Sequence, residues 1–148
     1  NDLTDVPSGL VSGSIQVDVT QTTKYNTLAT TGSNTFVGTQ VVSGSIEGNV
    51  NAITISSNTG SMDCGAANFF TITLPAAATH ILPTNINRGQ TINVLVTTTG
   101  GNTVTFPSSV KQQSGASYAP TNATGKDILT FVAFDTTTIY LTNIKNLV

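Results

Sequence analysis

Charged side chains are scarce in this chain of 148 residues, where they make up 8% of the composition against about 25% in an ordinary globular protein. Nucleic acids and anionic membrane surfaces are held by clustered Lys and Arg side chains. Here five such residues are scattered along the chain, which excludes both as expected partners. They are Lys24, Arg88, Lys111, Lys126 and Lys145.

Cysteine and histidine each occur once, as Cys64 and His80. A single Cys cannot form an intrachain disulfide, and we expect Cys64 to be a small buried apolar residue. A zinc site within one chain would need several carboxylate ligands beside one His and one Cys. The sequence therefore predicts no metal and no cofactor, and His80 is interpreted as structural. The alternative is an ion held by three copies of His80 on the axis of a trimer.

Long hydrophobic runs are missing as well. The longest run is Phe131 to Phe134, just after Leu129, whereas a membrane-spanning helix needs about 20 apolar residues. We therefore expect no insertion into a membrane.

Thr and Asn are abundant, with 28 and 14 copies, and apolar residues alternate with polar ones. Alternation with a period of two is typical of strands, and β-branched residues favour them. The sequence predicts an all-β fold, an antiparallel β-sandwich of jelly-roll-like form. The alternating sets are Ile15-Val17-Val19, Phe70-Ile72-Leu74, Ile92-Val94-Val96, Val104-Phe106, Ile128-Thr130-Val132-Phe134 and Ile139-Leu141.

Turn residues separate these segments. Gly100-Gly101-Asn102 can supply the positive φ values of a tight turn, which predicts a hairpin between the strands at Ile92 and Val104. Asp135-Thr136-Thr137 is predicted to connect two further strands. Residues 108 to 126 are rich in Ser, Gly, Ala and Pro, and we expect a long surface loop there.

The first fifty residues have few large apolar side chains, and the string VSGSI occurs in them at residues 11–15 and 42–46. A short repeat suggests a repeated structural unit, although coincidence in a chain of biased composition is the alternative. We predict an extended arm or shaft over residues 1–50, which anchors the protein or pairs with neighbouring chains, and a β-sandwich head domain over residues 51–148.

The sequence contains few of the residue patterns that catalysis requires. No Gly-x-Ser-x-Gly elbow is present, and Asp63-Cys64 matches no nucleophile motif. Asp127 and Asp135 flank one predicted strand about eight residues apart, too far for the ~5–9.5 Å geometries of glycoside hydrolysis. We expect Asp127 to hydrogen-bond the backbone of the loop before it, and we predict that the protein is not an enzyme.

Several fragments resemble, in their order, a module of bacteriophage tail fibres, short fibres and capsid-attached fibres. The resemblance covers about residues 53 to 142, although Gln112 and Tyr140 stand where similar modules often carry Trp. It implies a homotrimer located on the virion and in contact with other virion proteins. The fragments are FTITL (70–74), NRGQ (87–90), TTGGNTVTFP (98–107), VK (110–111), APT (119–121) and GKDILTF (125–131).

Three hypotheses follow. In the first, the chain is a structural virion protein, a fibre or capsid-decoration subunit that assembles as a homo-oligomer on the particle surface. In the second, it is a module for host attachment that recognises host surface glycans, with Tyr118 as the candidate ligand-contacting aromatic of the 108–126 loop. In the third, it is a non-viral extracellular structural protein of the pilus or surface-layer type.

Overall fold

The computed structural model describes residues 37–75 and 77–147. This part of the chain contains no α-helix and a single 3-10 turn, Gln113–Gly115, so the all-β prediction is confirmed. It contains no helix long and apolar enough to cross a membrane. The strands are β1 (Val50–Ala52), β2 (Ile55–Ser56), β3 (Thr59–Asp63), β4 (Phe69–Thr73), β5 (Thr79–Thr84), β6 (Thr91–Thr99), β7 (Val104–Thr105), β8 (Val110–Gln112), β9 (Thr124–Ala133) and β10 (Ile139–Leu147).

The strands form two sheets. The large sheet has the order β1-β4-β6-β9-β10-β8, and the small sheet has the order β2-β3-β5-β7. Both sheets are mixed: β6 pairs with β9 and β9 with β10 in antiparallel fashion, whereas β4 pairs with β6 and β3 with β5 in parallel. The expectation of an antiparallel architecture was therefore wrong.

The parallel pairs arise because the chain alternates between the sheets from β3 to β7. Phe69 of β4 pairs with Asn93 of β6, 24 residues further along, and Thr59 of β3 pairs with His80 of β5, 21 residues along. Parallel neighbours need a crossover connection, and here a strand of the opposite sheet provides it. The chain thus winds around its core, with each coil adding one strand to each sheet. Periodicity within a strand carries no information about this winding.

The predicted hairpin between Ile92 and Val104 does not form, because β6 belongs to the large sheet and β7 to the small one. The turn itself follows the prediction: Gly100 and Gly101 have φ values of 86° and 66°, which favour glycine. The side chain of Asn102 fixes this turn by accepting a hydrogen bond from the Thr99 N–H at 3.0 Å. Gly100 and Gly101 therefore form the turn through which the chain passes from β6 of the large sheet to β7 of the small sheet.

The predicted connection at Asp135-Thr136-Thr137 is confirmed as the turn between the antiparallel strands β9 and β10. Asp135 Oδ1 accepts hydrogen bonds from the Thr137 N–H at 2.7 Å, the Thr137 hydroxyl at 2.8 Å and the Thr138 N–H at 2.6 Å. These bonds to the charged form hold the pKa of Asp135 below its ordinary value.

One apolar core lies between the sheets, built from the alternate residues of the long strands. Each fully buried large aliphatic or aromatic side chain stabilises the fold by about 1.5–3 kcal/mol relative to its exposed state. The core needs no disulfide. Its largest fully buried apolar residues are Phe131, Met62, Leu74, Ile81, Ile92, Leu129, Val94 and Val96.

The predicted arm lies mostly outside the described residues, and so does the first VSGSI copy. The second copy, at residues 42–46, belongs to a segment from Val37 to Asn49 that contains no strand. Val41 and Ile46 in this segment are 88% and 79% exposed. The division into an arm and a head domain stays a prediction.

Candidate functional site: a polar cleft beside a buried carboxylate

Tyr118, the candidate ligand-contacting residue, lies in the segment between β8 and β9. Its side chain is only 4% exposed, although Tyr118 is among the residues that line the cleft described below. The ring lies near Phe106, with the ring centroids 6.4 Å apart, and the hydroxyl donates a hydrogen bond to Asp127 Oδ2 at 2.6 Å. The segment folds inward because this buried bond and the apolar ring together hold it. Tyr118 therefore presents no exposed stacking surface.

Asp127 is fully buried at the start of β9 and accepts four hydrogen bonds. Its Oδ2 accepts from the Tyr118 hydroxyl and from the Thr121 N–H at 2.9 Å. Its Oδ1 accepts from the Thr121 hydroxyl and from the Asn146 N–H at 2.9 Å. The carboxylate thus joins the segment before β9 to the end of β10, and the expectation that it bonds the loop backbone is confirmed.

Burial and hydrogen bonds decide the protonation states of Asp127 and Tyr118. Burial alone would raise the pKa of Asp127, but the hydrogen bonds from Thr121, Tyr118 and Asn146 outweigh burial and hold the pKa below its ordinary value. Burial, and then the bond to Asp127, raise the pKa of Tyr118. At neutral pH the carboxylate is therefore ionised and the phenol protonated. Four donors occupy the carboxylate, so this geometry fits a structural role.

An open cleft of about 450 Å³ lies beside this cluster, between the segment that follows β8 and the end of β10. Amides, hydroxyls and one ammonium group, that of Lys145, line it together with Tyr118 and apolar side chains such as Ala119 and Leu141. The polar groups can donate and accept hydrogen bonds with a small polar molecule. The polar side chains along the cleft belong to Gln112, Gln113, Ser114, Ser117, Thr142, Asn143 and Lys145.

A second cavity, of about 640 Å³, opens near the edge strands β1 and β2. Aliphatic residues such as Ile53, Ile72 and Leu74 line it, together with uncharged polar groups. No titratable side chain faces this cavity among the residues that the structure describes there.

The remaining candidates do not converge on either cavity. Cys64 is 1% exposed and burial raises the pKa of its thiol to about 11, which confirms the expected buried apolar residue. His80 is half-buried on β5, where Nδ1 lies 3.0 Å from the Thr105 hydroxyl.

Asp63 accepts hydrogen bonds from the Gly65 N–H and from the Asn85 side chain. Within residues 37–75 and 77–147, no three His, Cys, Asp or Glu side chains are grouped as metal ligands would be.

Sequence reasoning identified Asp127 but missed Thr121, Gln112 and Asn146. Gln112 accepts a hydrogen bond from the Tyr118 N–H through Oε1, and so it shapes the same segment. Thr121 lies six residues before Asp127, beyond the two to four residues over which local side-chain to backbone motifs act, so no local signal pointed to it.

Comparison of the chain with protein-family models, with curated proteins and with solved structures gives no match.

Proposed function

We propose that the chain is a structural protein of a bacteriophage virion, a fibre or capsid-decoration subunit that is exposed on the particle and assembles as a homotrimer. In this proposal the two sheets form a β-sandwich head and the preceding residues anchor or extend it. Its partners are sister subunits and other virion proteins.

One observation carries the proposal. The residues on which the resemblance to phage fibre modules rests make the hydrogen bonds that fix the connections between strands. In the APT and GKDILTF fragments, Thr121 is the residue that donates twice to Asp127. In the NRGQ fragment, Gln90 accepts from the Asn87 N–H at 3.0 Å and donates to the Cys64 carbonyl. These residues hold the connections between strands in place, which supports a structural role for the module.

The TTGGNTVTFP fragment has the same character. The Thr98 hydroxyl is fully buried and donates to the Ala123 carbonyl at 2.6 Å. The Gly101 N–H donates to Asn122 Oδ1 at 2.9 Å. The turn between β6 and β7 is thus hydrogen-bonded to the segment that precedes β9. Connections fixed by uncharged hydrogen bonds lose little to salt, which suits a protein exposed outside the cell.

Immunogold electron microscopy tests the location. An antibody raised against the full chain is applied to phage particles and to host cells recovered from the culture that yields this sequence. The proposal predicts gold at fibres or on the capsid surface. Label confined to pili or to the cell surface layer would refute it and would support the non-viral alternative.

The polar cleft favours a second candidate function, attachment to host surface glycans. Amide and hydroxyl side chains that line an open cleft can bond sugar hydroxyls. Binding of the full chain on a glycan array is expected to fall in Asn143→Ala, with the Ser61→Ala variant on the small sheet as its control. An array that gives no binding with the unmodified chain contradicts this candidate.

A further inference from the structure

The exposed apolar side chains are concentrated on one surface. Among the described residues from Val50 onward, the large hydrophobic side chains with the greatest exposure lie on strands of the large sheet or directly beside them. Buried chain neighbours place Phe69, Phe134 and Tyr140 on its outer face, away from the core. The register places Val50 beside Phe69 and Ile144 beside Ile128 on the same face. They are Val50, Phe69, Phe134, Tyr140 and Ile144, exposed by 64%, 43%, 71%, 49% and 60%.

The strand register joins these residues to further apolar side chains. Leu95 of β6 pairs with Ile128 of β9, which pairs with Ile144 of β10, so three aliphatic residues form one row across three strands. A second row joins Val132 to Tyr140. The ring of Phe134 meets that of Tyr140 edge to face, with the centroids 5.9 Å apart, and extends this second row.

The small sheet presents a different outer face. Its outward positions, identified by the same alternation, are mainly hydroxyl-bearing. Leu82 is the large aliphatic residue there, and it is half-buried. The other outward residues on its paired strands are Ser56, Thr59, Ser61, Asp63, His80, Thr84 and Thr105. Both outer faces carry hydroxyls, including Thr71 and Thr97 on the large sheet, but the large sheet alone presents several exposed large apolar side chains.

Charge and area indicate what covers the apolar face. At its strand positions the register places two cations, Lys111 beside Tyr140 and Lys126 beside Thr97. None of its paired strand positions holds an outward carboxylate. An anionic partner would meet only these two cations, and a cationic partner would meet no opposite charge. A second copy of this face brings the same two cations, and both lie toward its margin, Lys111 on the edge strand β8 and Lys126 near the start of β9. The 39 residues of the six strands cover roughly 600 Å² at the usual strand and residue spacings. Two such faces together reach the lower end of the range for a specific interface, about 1,200–2,000 Å² in total.

The sheet edges are poorer candidates. The outermost strands of the large sheet, β1 and β8, have three residues each. Short edge strands offer few free N–H and C=O groups for a neighbouring strand.

We propose that the outer face of the large sheet is the surface through which sister copies of this chain pack against one another. This inference deepens the proposed function and rests on its homo-oligomer. The aliphatic row from Leu95 to Ile144 and the aromatic pair Phe134–Tyr140 form the buried centre. The hydroxyls of residues such as Thr130 and Thr142 lie between the two rows.

The test places charge on this face. In the full chain, Tyr140→Lys and Ile144→Lys are combined, and Ser61→Lys on the outer face of the small sheet is the control. Light scattering after size exclusion is expected to give about three times 15.2 kDa for the unmodified chain and for the control. For the double variant, the mass is expected to fall to one third while circular dichroism stays unchanged.

A second variant keeps the test valid if the double variant does not fold. Thr142→Cys places a thiol at an exposed polar position of the face, and Ser61→Cys places one on the small sheet; Cys64 is buried. A short bismaleimide is expected to link Thr142→Cys chains and not Ser61→Cys chains.

The outcomes separate the two proposals. A folded double variant that keeps the full mass, or cross-linking in Ser61→Cys alone, overturns this interface and leaves the homo-oligomer intact. An unmodified chain that is monomeric at every concentration overturns both.

Discussion

Asp127 and Asp135 each gather hydrogen bonds from a Thr hydroxyl and from backbone N–H groups, but Asp127 is buried and Asp135 is exposed. Four donors surround Asp127 and three surround Asp135. The pKa of both carboxyls lies below the ordinary value. Similar local hydrogen bonds therefore contribute differently to stability, because an unpaired donor next to Asp135 can bond water, whereas one next to Asp127 cannot.

The largest effect is expected from Asp127→Asn. An amide keeps one acceptor oxygen and places an NH2 group against two of the donors that now face the carboxylate. We expect a loss of about 2–4 kcal/mol in the free energy of unfolding, since buried hydrogen bonds to charged groups contribute roughly 1.5–3 kcal/mol and unsatisfied donors add a penalty. Urea unfolding measures it. A stability equal to that of the unmodified chain would contradict the structural role of this carboxylate.

The stability of the fold is expected to depend on pH through Asp127. Because the pKa of Asp127 is lower in the folded than in the unfolded state, its contribution is fully present above the unfolded value of about 3.9. That contribution is lost as the pH falls through the folded value. Thermal unfolding between pH 7 and pH 2 is expected to show stability that decreases below about pH 4. In Asp127→Asn this decrease is expected to be shallower, and an identical slope in both proteins would exclude Asp127 as its source.

Thr121→Val is expected to have an intermediate effect. It removes the hydroxyl that donates to Asp127 and that also accepts from the Asn146 N–H at 3.1 Å. The expected loss is about 1–2 kcal/mol. Thr121→Ser keeps the hydroxyl and serves as the matched control. Val keeps the methyl group of Thr, so an unchanged stability in Thr121→Val would contradict the role assigned to the hydroxyl.

Asp135→Asn is expected to have the smallest effect. The side chain is exposed, an Asn oxygen can accept the same N–H bonds in a turn, and water can satisfy any donor that is released. The midpoint of thermal unfolding is expected to stay within the error of the measurement. A loss as large as that of Asp127→Asn would show that burial does not decide the difference between these aspartates.

Some features were predictable because they depend on neighbouring residues. Alternation identified the strand around Val94, Gly100 and Gly101 predicted positive φ values, and Asp135 predicted a turn. Alternation also identified β9, but the set Ile128-Thr130-Val132-Phe134 faces outward, and Leu129 and Phe131 face the core. Each of these signals acts over a few residues, so the sequence contains it directly.

Other features were not predictable because they depend on residues far apart. Period-two alternation is the same in parallel and antiparallel strands, so the winding that pairs Phe69 with Asn93 left no local signal. The burial of Tyr118 depends on a carboxylate nine residues away that lies inside the fold. An aromatic residue in a Ser- and Gly-rich segment looks exposed when that partner is not known.

The outward faces of the sheets illustrate the same limit. Leu141 and Ile144 lie three residues apart in β10 and therefore on opposite faces, and Leu141 is 6% exposed whereas Ile144 is 60% exposed. The sequence alone does not decide which of them faces the core. The apolar outer face emerges only when the register places Leu95, Ile128 and Ile144 side by side.

Sedimentation velocity of the unmodified full chain tests the central claim, a homo-oligomeric structural protein, most directly. Over a hundredfold range of concentration, the account predicts one dominant species of about three times 15.2 kDa. A single species of 15.2 kDa throughout that range would contradict it.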